Sequence, residues 1–435
     1  MARPPGRKRI LVVGGGYIGT YAALKMQDAL SADGHELVLV NPENFMMYQP
    51  FLPEVASGNI EPRHVLVPLR QILRKTRVIV GEVERVDHDR RVATIRIRGE
   101  EARELPYDIV VLGAGSRSRV LPIPGLAEHG IGFKTVPEAI FLRNQLLSRL
   151  DAAFGTADPE RRRAALTFVF VGAGYAGVEA LAELEDLARA AVRYYPGMSR
   201  TDMRWVLVEL ADHILPELGP DMARYVRREL EERDIEVLLN TSLEAAEGGL
   251  IRLSDGQSFP ADTLVWTAGV RAEPLGRRSG LPTDGAGRIL VDEYLRVKDV
   301  VGAWAAGDNA AVPDLVTGGL APATAQHAVR QGKRLGENLV ASLQGRPLRP
   351  FRWRNLGQLA SLGRYKGAAK VLGFRIRGFP AWWLHRSYHL LYMPTINRKA
   401  RIVADWTVGL LFPRDVVQLG SLATPREPFR RAAER

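Results

Sequence analysis

The stretch RILVVGGGYIGTYAALKM, starting at Arg9, returns in kind as TFVFVGAGYAGVEALAEL, starting at Thr167. Each is a short β-branched run, then a glycine turn, then an alanine-rich helical pattern, which reads as strand, tight turn and helix. Each is followed by a second apolar run, HELVLVN at 35–41 and MRWVLVE at 203–209. A βαβ unit used twice restricts the chain to an α/β architecture with parallel sheets. Later strands run into YDIVVLGAGS (107–116), DTLVWTAGV (262–270) and, near 303, GAWAAGDNA.

The glycines have a specific use. Gly14, Gly16 and Gly19 form G-x-G-x-x-G directly after a strand, and Gly172, Gly174 and Gly177 repeat it. Such glycines permit a tight turn, close approach of backbone amides to a pyrophosphate, and close helix–strand packing, with the helix dipole aimed at the anion. One copy could be an ordinary glycine turn; two copies in strand–turn–helix context point to two dinucleotide sites. Gly115 and Gly269, at the ends of the later strands, join the candidate cofactor-binding set.

The end of each second strand should present an acid to a ribose hydroxyl. The second unit has Glu209, and LVEL contains no Arg to take a 2′-phosphate, which favours NADH over NADPH. The alternative is a solvated strand-end Glu. The interval from Gly177 exceeds the roughly 20 residues of the usual motif, because RAAVRYYPGMSRTDM lengthens the crossover. In the first unit Asn41 stands at that place, a weaker ribose partner. Asp308, after Gly307, suits an element closing the first domain over its cofactor; from the residue alone an N-cap serves equally well.

At 435 residues two or three domains are expected, and 46% apolar with 25% charged residues is the composition of a globular protein. The net charge of +11 is unevenly placed: residues 346–435 hold 18 Lys/Arg against 4 Asp/Glu. That excess points to an anionic surface, lipid headgroups or nucleic acid. There is no cysteine, which removes disulfides, thiolate metal sites and all thiol redox chemistry; no metal site is expected. The first residues, MARPPGRKRILVVGGG, do not read as a signal peptide, and no run approaches the ~20 apolar residues of a membrane-spanning helix. A cytoplasmic location is expected.

With both fingerprints, AAGDNA and PATAQHAVRQG in view, the chain resembles the type II NADH:quinone oxidoreductases over roughly residues 8–420. These are two-dinucleotide-domain flavoproteins, similar in fold to glutathione reductase. The resemblance implies FAD in the N-terminal domain, NADH in an inserted second domain, and a quinone (menaquinone or ubiquinone) reached from the membrane side. It implies that Asp308 reaches the flavin nucleotide and that Glu179, closing GAGYAGVE, sits near the nicotinamide; the alternative for Glu179 is a first-turn Glu favoured by the helix dipole. PATAQHAVRQG matches the family's A-Q-x-A-x-Q-x-G at Ala325, Gln326, Ala328 and Gly332, with Arg330 where the family often has Gln. The expected catalytic set is Glu179, Gln326 and Arg330. Gln49, in QPFLP, is implied to line the flavin or the quinone entrance. The absence of cysteine separates this chain from disulfide reductases and sulfide:quinone reductases of the same fold.

Residues 380–406, PAWWLHRSYHLLYMPTINRKARIVADW, carry apolar residues at helical spacing: Leu384, Tyr388, Leu391 and Tyr392, then Ile402, Trp406 and Leu410. Arg386, Arg398, Lys399 and Arg401 lie among them. Trp and Tyr favour the headgroup zone and Lys/Arg snorkel to anionic lipid, so two in-plane amphipathic helices are expected on the inner face of the cell membrane. Such a stripe also suits a core or an interface between two copies of the chain; nucleic acid is not expected. The resulting fold class is α/β, two Rossmann-like domains plus a C-terminal membrane-association segment. The expected boundaries are 1–125 with 289–345 for FAD, 126–288 for NADH and 346–435 for the membrane. The expected activity is NADH:quinone oxidoreduction without proton pumping; its rivals are a soluble NADH:ferredoxin or rubredoxin reductase and a non-catalytic NADH-sensing module.

Overall fold

The computed structural model describes residues 7–355, 357–419, 430 and 432. The basic N-terminal residues 1–6 and residues 420–429, 431 and 433–435 of the expected membrane segment lie outside the described residues. The chain divides into two compact units: Met1–Tyr48, Leu66–Arg119 and Val270–Asn355 form the first, and Gln49–Val65, Val120–Gly269 and Leu356–Arg435 the second. This differs from the expected boundaries, since the residues after 355 belong with the second unit. The reason lies in their buried faces, described below. Six helices carry the functional residues: α1 (Tyr17–Ala32), α2 (Leu52–Ala56), α3 (Tyr175–Ala191), α4 (Ala325–Leu343), α5 (Gly378–Tyr392) and α6 (Ile396–Leu411).

In the first unit a five-stranded parallel sheet runs Ala303–Ala305, Ile109–Leu112, Arg9–Val13, Glu36–Asn41, Arg77–Val80. Its strands are nearly continuous apolar runs because helices cover both faces of a parallel sheet; Ile10, Leu11, Val110 and Val111 have no exposed surface. α4 lies on α1, and two glycines set that approach: a Cβ on Gly332 would stand 2.9 Å from the Ile18 carbonyl oxygen, and one on Gly336 2.7 Å from that of Ala22.

The second unit repeats the design. Its parallel sheet runs Gly130–Gly132, Thr263–Trp266, Thr167–Val171, Arg204–Val208, Ile235–Leu238. α3 follows the central strand as α1 does in the first unit. A three-stranded antiparallel sheet, Gly357–Ser361, Gly367–Val371 and Phe374–Arg377, precedes α5.

α5 and α6 are amphipathic, but not with every expected residue facing outward. Trp382 and His385 are buried on α5 and Ile402 is fully buried on α6. Trp406 donates its indole N–H to Glu54 on α2 at 2.8 Å, and Arg386 donates to the same carboxylate at 2.7 Å while lying over the rings of Trp382 and Trp406. Ile402 and Trp406, read as part of an apolar surface, thus hold the tail to its own unit. Phe379, Trp383, Leu391, Ile396, Val403, Val408, Leu410, Leu411 and Phe412 are the exposed large apolar residues of these helices and their ends, Leu391 and Leu410 as expected. Among the described residues no helix is long and apolar enough to cross a membrane.

Candidate functional site

The two glycine turns are built alike. A Cβ on Gly19 would collide with the Gly14 carbonyl oxygen, and one on Gly177 with that of Gly172. Gly14 and Gly172 adopt φ of 94° and 103°, a region that favours glycine. Gly16 and Gly174, the N-caps of α1 and α3, lack a side-chain cap, and a Cβ on either would meet nothing within 4 Å. Each turn therefore presents uncapped amides and the positive end of a helix dipole to open space, a cradle for a pyrophosphate.

The strand-end residues tie themselves to these turns. Asn41 Oδ1 accepts from Gly15 N at 2.7 Å while its amide donates to the Glu43 carbonyl at 2.7 Å. Both ends of Asn41 are engaged, so it supports the turn; exposed Glu43 is the nearest acid beyond this strand. Glu209 accepts from Ala173 N at 2.6 Å and from Ala211 N at 2.9 Å. A carboxylate has about four acceptor sites, so two backbone bonds hold Glu209 in place and leave capacity for ribose hydroxyls. It is not a freely solvated strand-end acid.

Asp308 is not an N-cap: the turn Gly307–Asn309 is preceded by Ala306 in that role. Its carboxylate accepts from Ser116 Oγ at 2.6 Å, and Gly115 N donates to Asn309 Oδ1 at 3.2 Å. The ends of two neighbouring strands are thereby joined. Gln331, buried on α4, accepts from Gly307 N at 2.7 Å. Gln331 is a positioning residue whose role the sequence did not disclose; its one signal there is a Gln directly after Arg330, where the family often has Gln. A small cavity lies among Gly307, Asp308, Thr324 and Gln331.

α4 begins with Thr324 as N-cap, its hydroxyl accepting from His327 N. No acid occupies its first turn, so its dipole is unopposed. Arg330 donates to the Gln326 carbonyl at 2.8 Å and stacks its guanidinium 3.5 Å from the centre of the Trp353 ring. The departure at position 330 is thus fixed by an aromatic partner from FRWR. His327 is held below the ordinary imidazole value by burial and by Arg330, against the opposing pull of Asp314.

In the second unit Glu179 lies one turn inside α3, where no acid occupies the first turn, so capping the dipole is not its role. It is buried, accepts from Ser361 N at 2.8 Å and lies 3.2 Å from His385 Nε2. His385 stacks edge-on against His389 at 4.5 Å, and burial followed by His385 pushes His389 well below its usual value. Four residues along α3, Glu183 has no exposure and accepts from Asn59 at 2.9 Å and from the Ser57 and Ser361 hydroxyls at 3.0 and 3.2 Å. Burial raises its pKa, against the pull of Arg414. Gln49, also in this unit, donates to the Lys134 carbonyl at 3.3 Å. Gly269 has φ of 92° with open space where a side chain would stand.

Residues 8–332 match the pyridine nucleotide-disulphide oxidoreductase family. Over 428 residues the chain is 29% identical to the type II NADH:quinone oxidoreductase Ndh of Mycobacterium tuberculosis, covering 95% of this chain and 90% of that one. It is 31% identical over 391 residues to the type II NADH:quinone oxidoreductase of Staphylococcus epidermidis, covering 87% and 94%. The solved NDH2 of Plasmodium falciparum in complex with NADH has the same fold, with a TM-score of 0.88 over 94% of this chain and all of that one, at 16% identity. Two glycine cradles of one design, an acid at the second and a match of this breadth have one reading: the chain belongs to the pyridine nucleotide-disulphide oxidoreductases and, among them, to the type II NADH:quinone oxidoreductases.

Proposed function

We propose that the protein oxidises NADH and reduces a membrane quinone through bound FAD. The first unit holds FAD, with Gly14, Gly16 and Gly19 on its pyrophosphate and Gly115 and Asp308 beside its nucleotide; the second holds NADH through Gly172, Gly174, Gly177, Gly269 and Glu209. The observation that carries this is the pair of open, uncapped helix N-termini at Gly16 and Gly174, into which a Cβ would intrude. When bound, the flavin supplies a ring that takes a hydride and returns two electrons to a quinone.

The residues of the chain do the rest. Glu209 discriminates at the ribose, since its fixed carboxylate accepts from a 2′-hydroxyl and repels a 2′-phosphate. The unopposed N-terminus of α4 favours negative charge developing beside it. Gln326 donates to a quinone carbonyl, and Arg330, braced by Trp353, adds fixed positive charge. Glu179 Oε1 and His385 Nε2 hold a proton between an acceptor and a donor, and quinone reduction consumes two. The chain has no cysteine to divert electrons into thiol chemistry.

The exposed faces of α5 and α6 rest on lipid, with Arg398, Lys399 and Arg401 at the headgroups, as a peripheral attachment on the cytoplasmic face. Deletion of residues 396–435, α6 onward, tests this: the full chain floats with anionic vesicles and the truncated chain stays in solution. Equal flotation of both would sink the attachment. Gln326→Ala tests the acceptor site. Reoxidation of reduced flavin by quinone slows while bleaching by NADH is unchanged; equal loss in both half-reactions removes Gln326 from that role.

A further inference from the structure

Away from the glycine cradles, the second unit has a cavity of about 230 Å³ lined by Asp186, Arg189, Arg193, Tyr194, Arg364 and Arg414. Four guanidiniums at one cavity are more than the C-terminal dipole of α3 calls for. Their existing partners do not exhaust them. Arg189 pairs with Glu185, and Arg364 donates to the Gly409 carbonyl. Asp186 accepts from Arg233, behind the cavity, and from the backbone N of Arg364. Arg414 is the most enclosed of the four: its side chain is 8% exposed, its Nη1 donates to the Glu183 carbonyl at 3.4 Å, and its Nη2 pairs with the carboxylates of Glu183 and Asp186 at 3.7 Å, so it supplies fixed positive charge at the cavity wall. Arg189, Arg233, Arg364 and Arg414 meet Glu183, Glu185 and Asp186, Arg193 adds a further cation at the cavity, and burial drives Glu183 towards its neutral form. Arg193 is exposed at the cavity and Arg364 spends one of its five side-chain N–H donors on the Gly409 carbonyl, so donors remain there for an anionic oxygen.

The surroundings say which anion. Arg414 comes two residues after Phe412, and Val408, Leu410, Leu411 and Phe412 are 56%, 57%, 73% and 62% exposed. Tyr194, also lining the cavity, is 60% exposed, a residue type that favours the headgroup zone. A free phosphate gains nothing from that apolar border; an amphiphile gains at both ends. We propose that this cavity seats the phosphate of an anionic phospholipid, through the fork geometry by which Arg recognises phosphate, with its acyl chains over Leu411 and Phe412. This rests on the membrane reading of α5 and α6 and adds to it a specific headgroup site.

The test uses the full-length, flavin-loaded protein with Arg193→Gln, Arg414→Gln and, as a charge-matched control, Arg161→Gln, whose side chain is 82% exposed on another helix. A short-chain phosphatidylglycerol below its micellar concentration is titrated by ³¹P NMR, with inorganic phosphate as competitor. Flotation with phosphatidylcholine vesicles, with and without phosphatidylglycerol, is measured in parallel. Wild type binds the lipid saturably, Arg193→Gln weakens binding about fivefold for the one charge removed, Arg161→Gln leaves it unchanged, and inorganic phosphate competes weakly. Arg193 is exposed, so its variant folds even if Arg414→Gln does not. Equal lipid affinity of wild type and Arg193→Gln overturns the proposal. So does displacement of lipid by equimolar inorganic phosphate, which marks a free-phosphate site. If wild type floats and Arg193→Gln floats equally well, the membrane reading stands and the headgroup site falls; if wild type floats with neither vesicle, both fall.

Discussion

The two units share a five-stranded parallel sheet with a glycine turn after its central strand, differing only in which part of the chain supplies one edge strand, yet they bury different chemistry. Among the described residues, the polar side chains buried in the first unit are neutral groups or a histidine: Thr20, Gln27, Asn309, His327, Gln331 and Asn338. The second buries the carboxylates Glu54, Glu179, Glu183 and Glu185 with Arg143, Arg233 and His385. The same contrast appears at the strand ends, where Asn41 and Glu209 make the same tie to their turns and only Glu209 brings charge. A common backbone solution thus leaves an open, uncapped helix N-terminus in each unit. What differs is the ionisable equipment, concentrated in the unit that carries the tail and that is proposed to take NADH.

The largest test of that shared backbone is steric. Gly177→Val drives a branched side chain into the Gly172 carbonyl and should abolish NADH binding while bound flavin, read by absorbance, is retained. Gly19→Val should instead abolish flavin retention. Loss of both ligands in both variants would mean that the cradles are not independent. Next comes the charge burial of the second unit. Arg386→Ala leaves Glu54, 2% exposed, without its cation and should lower the unfolding free energy by about 3–5 kcal/mol. A change below about 1 kcal/mol in urea melts would show that the pair behaves as a surface one.

Glu209→Gln separates the two strand ends. Losing a charged acceptor should weaken NADH binding by about tenfold or more and narrow the preference over NADPH; an unchanged ratio would remove Glu209 from the ribose. The smallest effect concerns pH. Burial holds Glu183 above the ordinary carboxylate value of 4.5, so the folded state binds its proton more tightly than the unfolded chain. The stability it contributes is greatest in acid and declines as pH rises from that value through the raised one. Glu183→Gln should flatten this decline by on the order of 1 kcal/mol; a slope as steep as wild type would place the titration elsewhere.

The glycine turns were legible because their signal is local: strand, turn and helix lie within about 20 residues and depend on residues with no side chain. The inward half of the tail was not. Trp406 and Arg386 meet Glu54 from more than 300 positions away, and spacing on one helix does not say which face a distant carboxylate claims. A hint was present in α3, where Glu179, Glu183 and Glu185 stand in an Ala/Leu-rich helix and need cations from elsewhere, while the surplus Arg lies after residue 345. The role of Gln331 was not legible because a Gln on a helix gives no sign that its oxygen meets a backbone amide 24 residues earlier.

The central claim is that electrons enter from NADH and leave to a quinone. Anaerobic stopped-flow tests it directly: flavin in the purified protein is bleached with NADH, then mixed separately with menaquinone and ubiquinone analogues and with a ferredoxin. The account predicts rapid return of flavin absorbance with a quinone and not with the ferredoxin; rapid return with the ferredoxin and none with either quinone would contradict it.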